Sequence, residues 1–583
     1  MVTVEKTAIL VSVARLRRKL RSSEAAFLVL AAVAGLAAGL FTVAQQVLAH
    51  GIQRLFYGVT INRLSALGSI HHPWKLLALP LGGAVMVLLV RWLHRRRAPI
   101  DVVEANALHG GRIPFSDNLV IAAQTVISNG AGASVGLEAA YAQMGGGFAS
   151  ILGQWFALRR NDLRTLVGAG AGAAIGAAFG APLTGAFYAF EIVIGTYSPA
   201  TVAPVIAASL VAVSTAQLLG VDPYLIATAT GRGFTIDEYL AYAGLGLICA
   251  MFGICIMRLV TFAEQRVQSW KAAVPWRQII GGFLLIPLAL VSPQTLSAGH
   301  GALHLDLAMH PALGFLAVVL TLKVAASVIS LSFGFRGGLF FASLFLGSLL
   351  GMLFAGLVNA ADLGIELSLN DAALVAMAAL SVSIVGGPMT LAILMLETTH
   401  DFALMGVVLT ATLISGAITR ELFGYSFSTW RLHTRGSAIR SPRDIGWMLD
   451  LTAQSVMRRD WVAISEATTI DALREQVPLG STKKSVMTDA DGHYRGIVTT
   501  AAAYRPDLNP LDSVASIVIL ADVTLTPATG MDEMLRKFDR EAVDELAVVD
   551  SEGRVLGIVT EKYARRRYFE RIELSQREIF GET

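Results

Sequence analysis

The sequence predicts an α-helical polytopic membrane protein, an internally duplicated helical bundle with broken helices, followed by a cytoplasmic α/β tail. Three observations carry this reading. Of 583 residues, 54% are hydrophobic and 15% charged, with a mean hydropathy of +0.60, whereas soluble domains carry about 25% charged residues. Apolar segments recur as far as residue 423, and blocks of glycine-bearing sequence return just over 200 residues later. After about residue 436 charges become frequent, and apolar residues come in short alternating runs such as Glu545-Leu546-Ala547-Val548-Val549.

This composition excludes an ordinary cytosolic enzyme, a disordered chain and a disulfide-rich secreted fold. Lys+Arg 46 against Asp+Glu 43 leaves a net charge of +3, too balanced for a nucleic-acid binder. Cys249 and Cys255 lie six apart in one apolar run, fit neither a zinc pair nor a disulfide framework, and read as small buried hydrophobes. The membrane part holds no Ser/His/Asp set, metal cluster, P-loop or nucleotide fingerprint. No catalysis, no metal and no cofactor are therefore expected.

The first apolar stretch, Ala25 to Leu48, is long enough to cross a bilayer core of about 30 Å. It follows the basic run Arg15-Leu16-Arg17-Arg18-Lys19-Leu20-Arg21 and shows no small-residue cleavage site, so it reads as an anchor rather than a signal peptide. Further apolar segments fall near 74–93, 118–130, 147–157, 165–180, 183–195, 201–219, 238–262, 278–292, 312–333, 338–357, 371–399 and 403–423. Several are short or glycine-rich, as in transporters whose broken helices meet at a midplane site. The basic run and Arg91, Arg95, Arg96 and Arg97 place both termini in the cytoplasm, by the excess of positive charge on that side. A plasma (inner) membrane location is expected. The expected division is a basic segment over 1–22, a membrane domain over 23–436 and a cytoplasmic tail over 437–583.

Two ordered blocks reveal the duplication. Gly132, Gly136, Leu137, Ala140 and Gly145 match Gly334, Gly338, Leu339, Ala342 and Gly347, each 202 later. Gly180, Pro182, Thr184, Ala186 and Glu191 match Gly386, Pro388, Thr390, Ala392 and Glu397, each 206 later. Residues alone do not show whether the halves are inverted, but the commonest duplicated transporter folds are. The tail repeats at an offset of 61: Asp489-Ala490-Asp491-Gly492 before Gly496-Ile497-Val498-Thr499 returns as Asp550-Ser551-Glu552-Gly553 before Gly557-Ile558-Val559-Thr560. An acidic-glycine turn between β-branched runs is a strand–turn–strand signature, and helical stretches near 469–476 and 530–541 precede it.

Glu138 is the most informative residue, the one charge between Asp117 and Arg159. A carboxylate in the hydrocarbon region normally faces a polar pathway or a partner. Its flanking glycines allow a turn whose amides point inward at a helix N-terminus, a ready anion site. An ionised Glu138 can fill that site and a protonated one can leave it. The repeat partner, Gly337-Gly338-Leu339-Phe340-Phe341-Ala342, sets Phe340 in place of the glutamate at another helix start, so two N-termini can converge on one anion. A third glycine-and-proline break is His109-Gly110-Gly111-Arg112-Ile113-Pro114, and Ser116-Asp117-Asn118 after it reads as a helix cap. The repeated Pro182-to-Glu191 and Pro388-to-Glu397 spacing puts each acid at a segment's far end, where a structural role and a proton site both stay open.

This constellation resembles the CLC family of chloride channels and chloride/proton exchangers with a C-terminal pair of CBS domains (about 450–505 and 515–572), and the resemblance covers nearly the whole chain. The family motifs G-S-G-I-P, G-x-E-G-P and G-x-F-x-P correspond to Gly110-Gly111-Arg112-Ile113-Pro114, Gly136-Leu137-Glu138-Ala139-Ala140 and Gly338-Leu339-Phe340-Phe341-Ala342. The resemblance implies transport of chloride or a related monovalent anion through a bilayer-spanning homodimer, one pore per subunit, with Glu138 as the gating glutamate. It also brings departures. Gly111 stands at the anion-coordinating serine, and Arg112 replaces a glycine, either contacting the anion or attracting anions from the vestibule. The inner-gate tyrosine falls at about Ser428, with Tyr425 three residues early. Ile192 occupies the inner glutamate position beside Glu191, leaving Glu138 and Glu191 as candidates for a proton path. A channel-like mechanism is expected, with a proton-coupled exchanger as the alternative. Thr499 with Ala502 and Thr560 with Tyr563 lack the ribose-holding Asp of nucleotide-binding CBS pairs, so the tail reads as a dimerisation and regulatory platform rather than an adenine-nucleotide site.

Overall fold

The computed structural model describes residues 23–59, 64–70, 72–92, 99–226, 232–270, 274–362, 364–427, 429–430, 451–479, 484–541, 543–568 and 570. The chain divides into two units, Met1–Asp444 and Ile445–Thr583.

Among the described residues, each half of the membrane unit contributes eight α-helices. The first half holds α1 (Glu24–Tyr57), α2 (Ala78–Trp92), α3 (Val102–Leu108), α4 (Phe115–Gly130), α5 (Glu138–Trp155), α6 (Arg160–Phe179), α7 (Pro182–Tyr188), extended by a π-helical stretch Ala189–Ile194, and α8 (Pro199–Leu218). The second half holds α9 (Ile236–Ser269), α10 (Arg277–Val291), α11 (His300–Met309), α12 (Leu313–Ser332), α13 (Phe340–Ala360), α14 (Leu369–Val385), α15 (Pro388–Thr399) and α16 (Phe402–Leu422). The two series match one for one, down to 34 residues in both α1 and α9. Among the described residues, eight helical stretches are long and apolar enough to cross a membrane: α1, α8, α9, α12, α13, α16, Pro73–Arg91 and Val274–Val291.

The halves meet in opposite chain directions, as an inverted repeat requires. Glu191 accepts from the amides of Met389 and Thr390, at 3.2 and 2.8 Å, and from the Thr390 hydroxyl at 2.7 Å. Reciprocally, Glu397 accepts from the amides of Leu183 and Thr184, at 2.8 and 2.7 Å, and from the Thr184 hydroxyl at 2.7 Å. Each acid thus caps the N-terminus of the other half's helix, where the amides lack intrahelical partners. Small residues let the helices that carry the site cross closely. A β-carbon on Gly145 of α5 would collide with the Gly170 carbonyl of α6, and one on Gly351 of α13 with Ala372 of α14.

Several local expectations are corrected. The apolar run 371–399 is two helices, parted at Gly386 and Gly387. α3 and α11, with 7 and 10 residues, are too short to announce themselves by periodicity. Pro114 occupies the cap of α4 and makes no side-chain cap bond. Asp117 instead accepts the Ile100 amide at 2.9 Å, and Asn118 accepts from Gln143 at 2.7 Å. Cys249 is buried as expected, whereas Cys255 is exposed.

The tail contains two sheets of one design. In the first, β1 (Trp461–Ser465) pairs parallel with β2 (Lys484–Thr488), which pairs antiparallel with β3 (Tyr494–Val498). In the second, β4 (Thr524–Leu525) pairs parallel with β5 (Glu545–Val549), and β5 antiparallel with β6 (Val555–Thr560). The helices Ile470–Gln476 and Met531–Glu541 precede the two hairpins, and Leu473 and Phe538 are buried in the respective cores. The repeated acidic turns are structural. Asp489 Oδ1 accepts the amides of Asp491 and His493, and Asp550 Oδ1 those of Glu552 and Arg554. Chiefly through the His493 amide, the Asp489 carboxyl is held below its ordinary range.

Candidate functional site

The site forms where the two glycine breaks meet. Gly132 and Gly334 turn the chain after α4 and α12 at φ +96° and +88°, a region glycine reaches without strain. The breaks then pair as one antiparallel bridge. The Gly136 amide donates to the Gly338 carbonyl at 2.9 Å, and the Gly338 amide to the Gly136 carbonyl at 3.2 Å. Two residues past each glycine a helix begins, α5 at Glu138 and α13 at Phe340. Two helix N-termini, each with partial positive charge, therefore face one point.

Glu138 fills that point. It is 4% exposed, and its carboxyl folds back over the bridge. A β-carbon on Gly136 would collide with Oε2, and one on Gly338 would lie 3.1 Å from the same oxygen. The backbone amides of Glu138 itself and of Phe341 face the carboxyl. Oε2 is buried and has no hydrogen-bond partner among the described residues. The carboxyl is thus placed by fit and by the amides that face it.

A cavity of about 560 Å³ opens beside Glu138, lined also by Asp101, Tyr188, Arg277, Arg336 and Phe340. A second, of about 420 Å³, is lined by Glu191, Arg420, Tyr425, Ser426 and Thr429. Val103, Ile192 and Val385 border both.

Gly136, Leu137, Glu138, Gly338, Leu339, Phe340 and Phe341 are brought together, with Leu137 and Leu339 as the residues preceding the two helices. Gly110, Gly111, Arg112, Ile113 and Pro114 are not. They follow the C-terminal end of α3, and none lines the cavity around Glu138. Gly111 donates to the Ala105 carbonyl, and Ile113 to the Ser150 hydroxyl; Arg112 is exposed. The end of α3 that reaches the cavity is its start, at Asp101, Val102 and Val103. Among the described residues, the positive charges on this cavity are Arg277 and Arg336 rather than Arg112. Ser428 lies outside the described residues. Ile192 is buried between the cavities, and Glu191 caps α15.

Sequence reasoning missed Asp101, Tyr188 and Lys323. Lys323 is fully buried on α12 and donates to the carbonyls of Thr295 and Ser297, at 3.3 and 2.7 Å. The Ser297 amide in turn donates to Gly132, so this cation steadies the first break from behind. Its signal was present. Lys323 is a single charge in the apolar run 312–333, the same pattern that singled out Glu138.

A family model described as voltage gated chloride channel matches residues 82–420, and one for the CBS domain matches 514–570. The voltage-gated ClC-type chloride channel ClcB of Citrobacter koseri is 27% identical over 377 residues, covering 62% of this chain and 88% of its own. ClcB of Escherichia coli O157:H7 is 28% identical over 372 residues, covering 62% and 87%. Among solved structures, a slow cyanobacterial Cl−/H+ antiporter superposes with a TM-score of 0.60 at 22% identity, over 70% of this chain and 97% of that one. A eukaryotic CLC transporter does so with a TM-score of 0.60 at 17% identity, over 94% and 98%. The matched segment is more than half of the chain and contains both helix starts of the glycine bridge, so this protein belongs to the voltage gated chloride channel (CLC) family of anion transport proteins, with a CBS domain matched at residues 514–570.

Proposed function

We propose that the protein moves chloride or a related monovalent inorganic anion across its membrane along a pathway that Glu138 closes when ionised, without stoichiometric exchange for protons. One observation carries the reading: the Glu138 carboxyl rests where the N-termini of α5 and α13 converge, with Oε2 unpartnered. A permeating anion competes for the same amides, and protonation of Glu138 removes the competitor. Ile192 offers no titratable group between the cavities, which supports uncoupled flux. The Arg277 and Arg336 charges raise the local anion concentration.

A second reading is a proton-coupled anion exchanger using Glu138 and Glu191. It is favoured by the adjoining cavities, one lined by each acid. In both readings the protein works as a homodimer in the plasma (inner) membrane with both termini cytoplasmic, and it catalyses no covalent chemistry. The CBS pair serves regulation rather than adenine-nucleotide binding, since Thr499 spends its side chain capping the helix Thr500–Ala503.

Purified protein in liposomes is expected to carry at least one of chloride, bromide, nitrate or bicarbonate down its gradient. Flux no greater than that of empty liposomes, for every anion of the panel, overturns the reading.

A further inference from the structure

The gate leaves the phenol of Tyr188, on the wall of the cavity beside Glu138, unexplained. Tyr188 ends α7, is 9% exposed, and lines the cavity with Glu138 and Asp101. Its ring is held by packing: the centroid lies 6.2 Å from that of Phe340, which sits 5.4 Å from Phe179, and Phe179 stacks on Phe341 at 6.1 Å. Tyr188 shares this cavity wall with Glu138 and Asp101, and its hydroxyl has no hydrogen-bond partner among the described residues. Its oxygen is not among the fully enclosed unpartnered atoms, so the hydroxyl opens onto the cavity that the residue lines. Asp101 is otherwise engaged, with Oδ1 accepting the Glu104 amide at 2.8 Å to cap α3.

An immobilised, unpaired donor beside the first residue of α13 is what an intermittent acceptor requires. We infer that the Tyr188 hydroxyl donates to the permeating anion, as a third donor beside the amides of Glu138 and Phe341, when the Glu138 carboxyl leaves. This inference rests on the glutamate-gated reading and adds the residue that sets ion preference. Two amides and one phenol among aromatic walls replace only part of an ion's hydration shell. The site therefore suits weakly hydrated monovalent anions, and the phenol matters most for the better hydrated ones such as chloride. Tyr188 is a binding residue for the transported ion in this account, while Phe179 and Phe340 position it.

The test uses the full-length protein in the Glu138→Gln background, so that the gate is open in every sample. Tyr188→Phe keeps the ring and removes the donor. It is expected to weaken chloride binding about tenfold, the loss of one good hydrogen bond, and to shift the chloride/nitrate permeability ratio toward nitrate. An unchanged chloride affinity with an unchanged ratio overturns the inference. Should Tyr188→Phe fail to fold, 3-fluorotyrosine placed at position 188 reports directly. Its ¹⁹F resonance is expected to shift and saturate as chloride is titrated, and a resonance indifferent to saturating chloride overturns the inference. Absence of flux from the Glu138→Gln protein itself sinks the gated reading. Normal flux with an indifferent Tyr188 sinks only the present inference.

Discussion

A carboxylate within a membrane-spanning bundle is costly unless it faces a polar group, and Glu138 lies against two helix N-termini. That placement depends on two glycines that leave room for a carboxyl. Gly136 is the closer, and it is not among the positive-φ positions, so alanine there adds a methyl without backbone strain. That methyl would take the space of Oε2. Gly136→Ala is therefore expected to displace the Glu138 carboxyl and raise anion flux at neutral and alkaline external pH toward its acidic level, with little change in melting temperature. Liposome flux across external pH reads the outcome. Wild-type pH dependence in a folded Gly136→Ala protein would show that the carboxyl does not rest there.

At the scale of elements, reciprocal capping fastens one half of the membrane unit to the other. Glu191 and Glu397 make equivalent bonds to equivalent helix starts, so Glu191→Ala and Glu397→Ala are expected to destabilise the detergent-solubilised protein by similar amounts, about 1–3 kcal/mol each. Thermal melts measure this. Under the uncoupled reading Glu191→Gln leaves the pH dependence of flux unchanged, because its amide oxygen can still accept. A loss of pH dependence in Glu191→Gln, without the same loss in Glu397→Gln, would move Glu191 from cap to proton carrier. The same elements explain what could be read from sequence. Glu138, Gly136 and Gly338 were legible because a costly charge and a repeated glycine spacing mark a helix start twice, 202 residues apart. Gly110 to Pro114 carries equally suggestive residues, but it turns the chain out of α3, and its glycines serve close packing against Arg160 and Leu163. The cavity end of α3 begins Asp101-Val102-Val103 and has no glycine to betray it. Tyr188 was hidden for another reason. A tyrosine in an apolar helix looks like core until its hydroxyl is found to lack a partner.

For the whole molecule, the inverted duplication builds the site around Glu138 from two halves, since neither glycine break can form the bridge alone. The separate sheet-and-helix tail adds no residue to the pathway motifs, which all precede Thr429. The central claim is that one titratable group, Glu138, closes this composite site. The direct measurement is anion flux in liposomes across external pH, with protons followed in the same vesicles, for wild type and a folded Glu138→Gln protein. Wild type is expected to pass more anion as external pH falls, because protonation lifts the carboxyl from the amides, and to show no sustained uphill proton movement. Glu138→Gln is expected to be open at every pH. Retained wild-type pH dependence in Glu138→Gln would contradict the gate, and uphill proton pumping driven by an anion gradient in wild type would replace the uncoupled pathway with an exchanger.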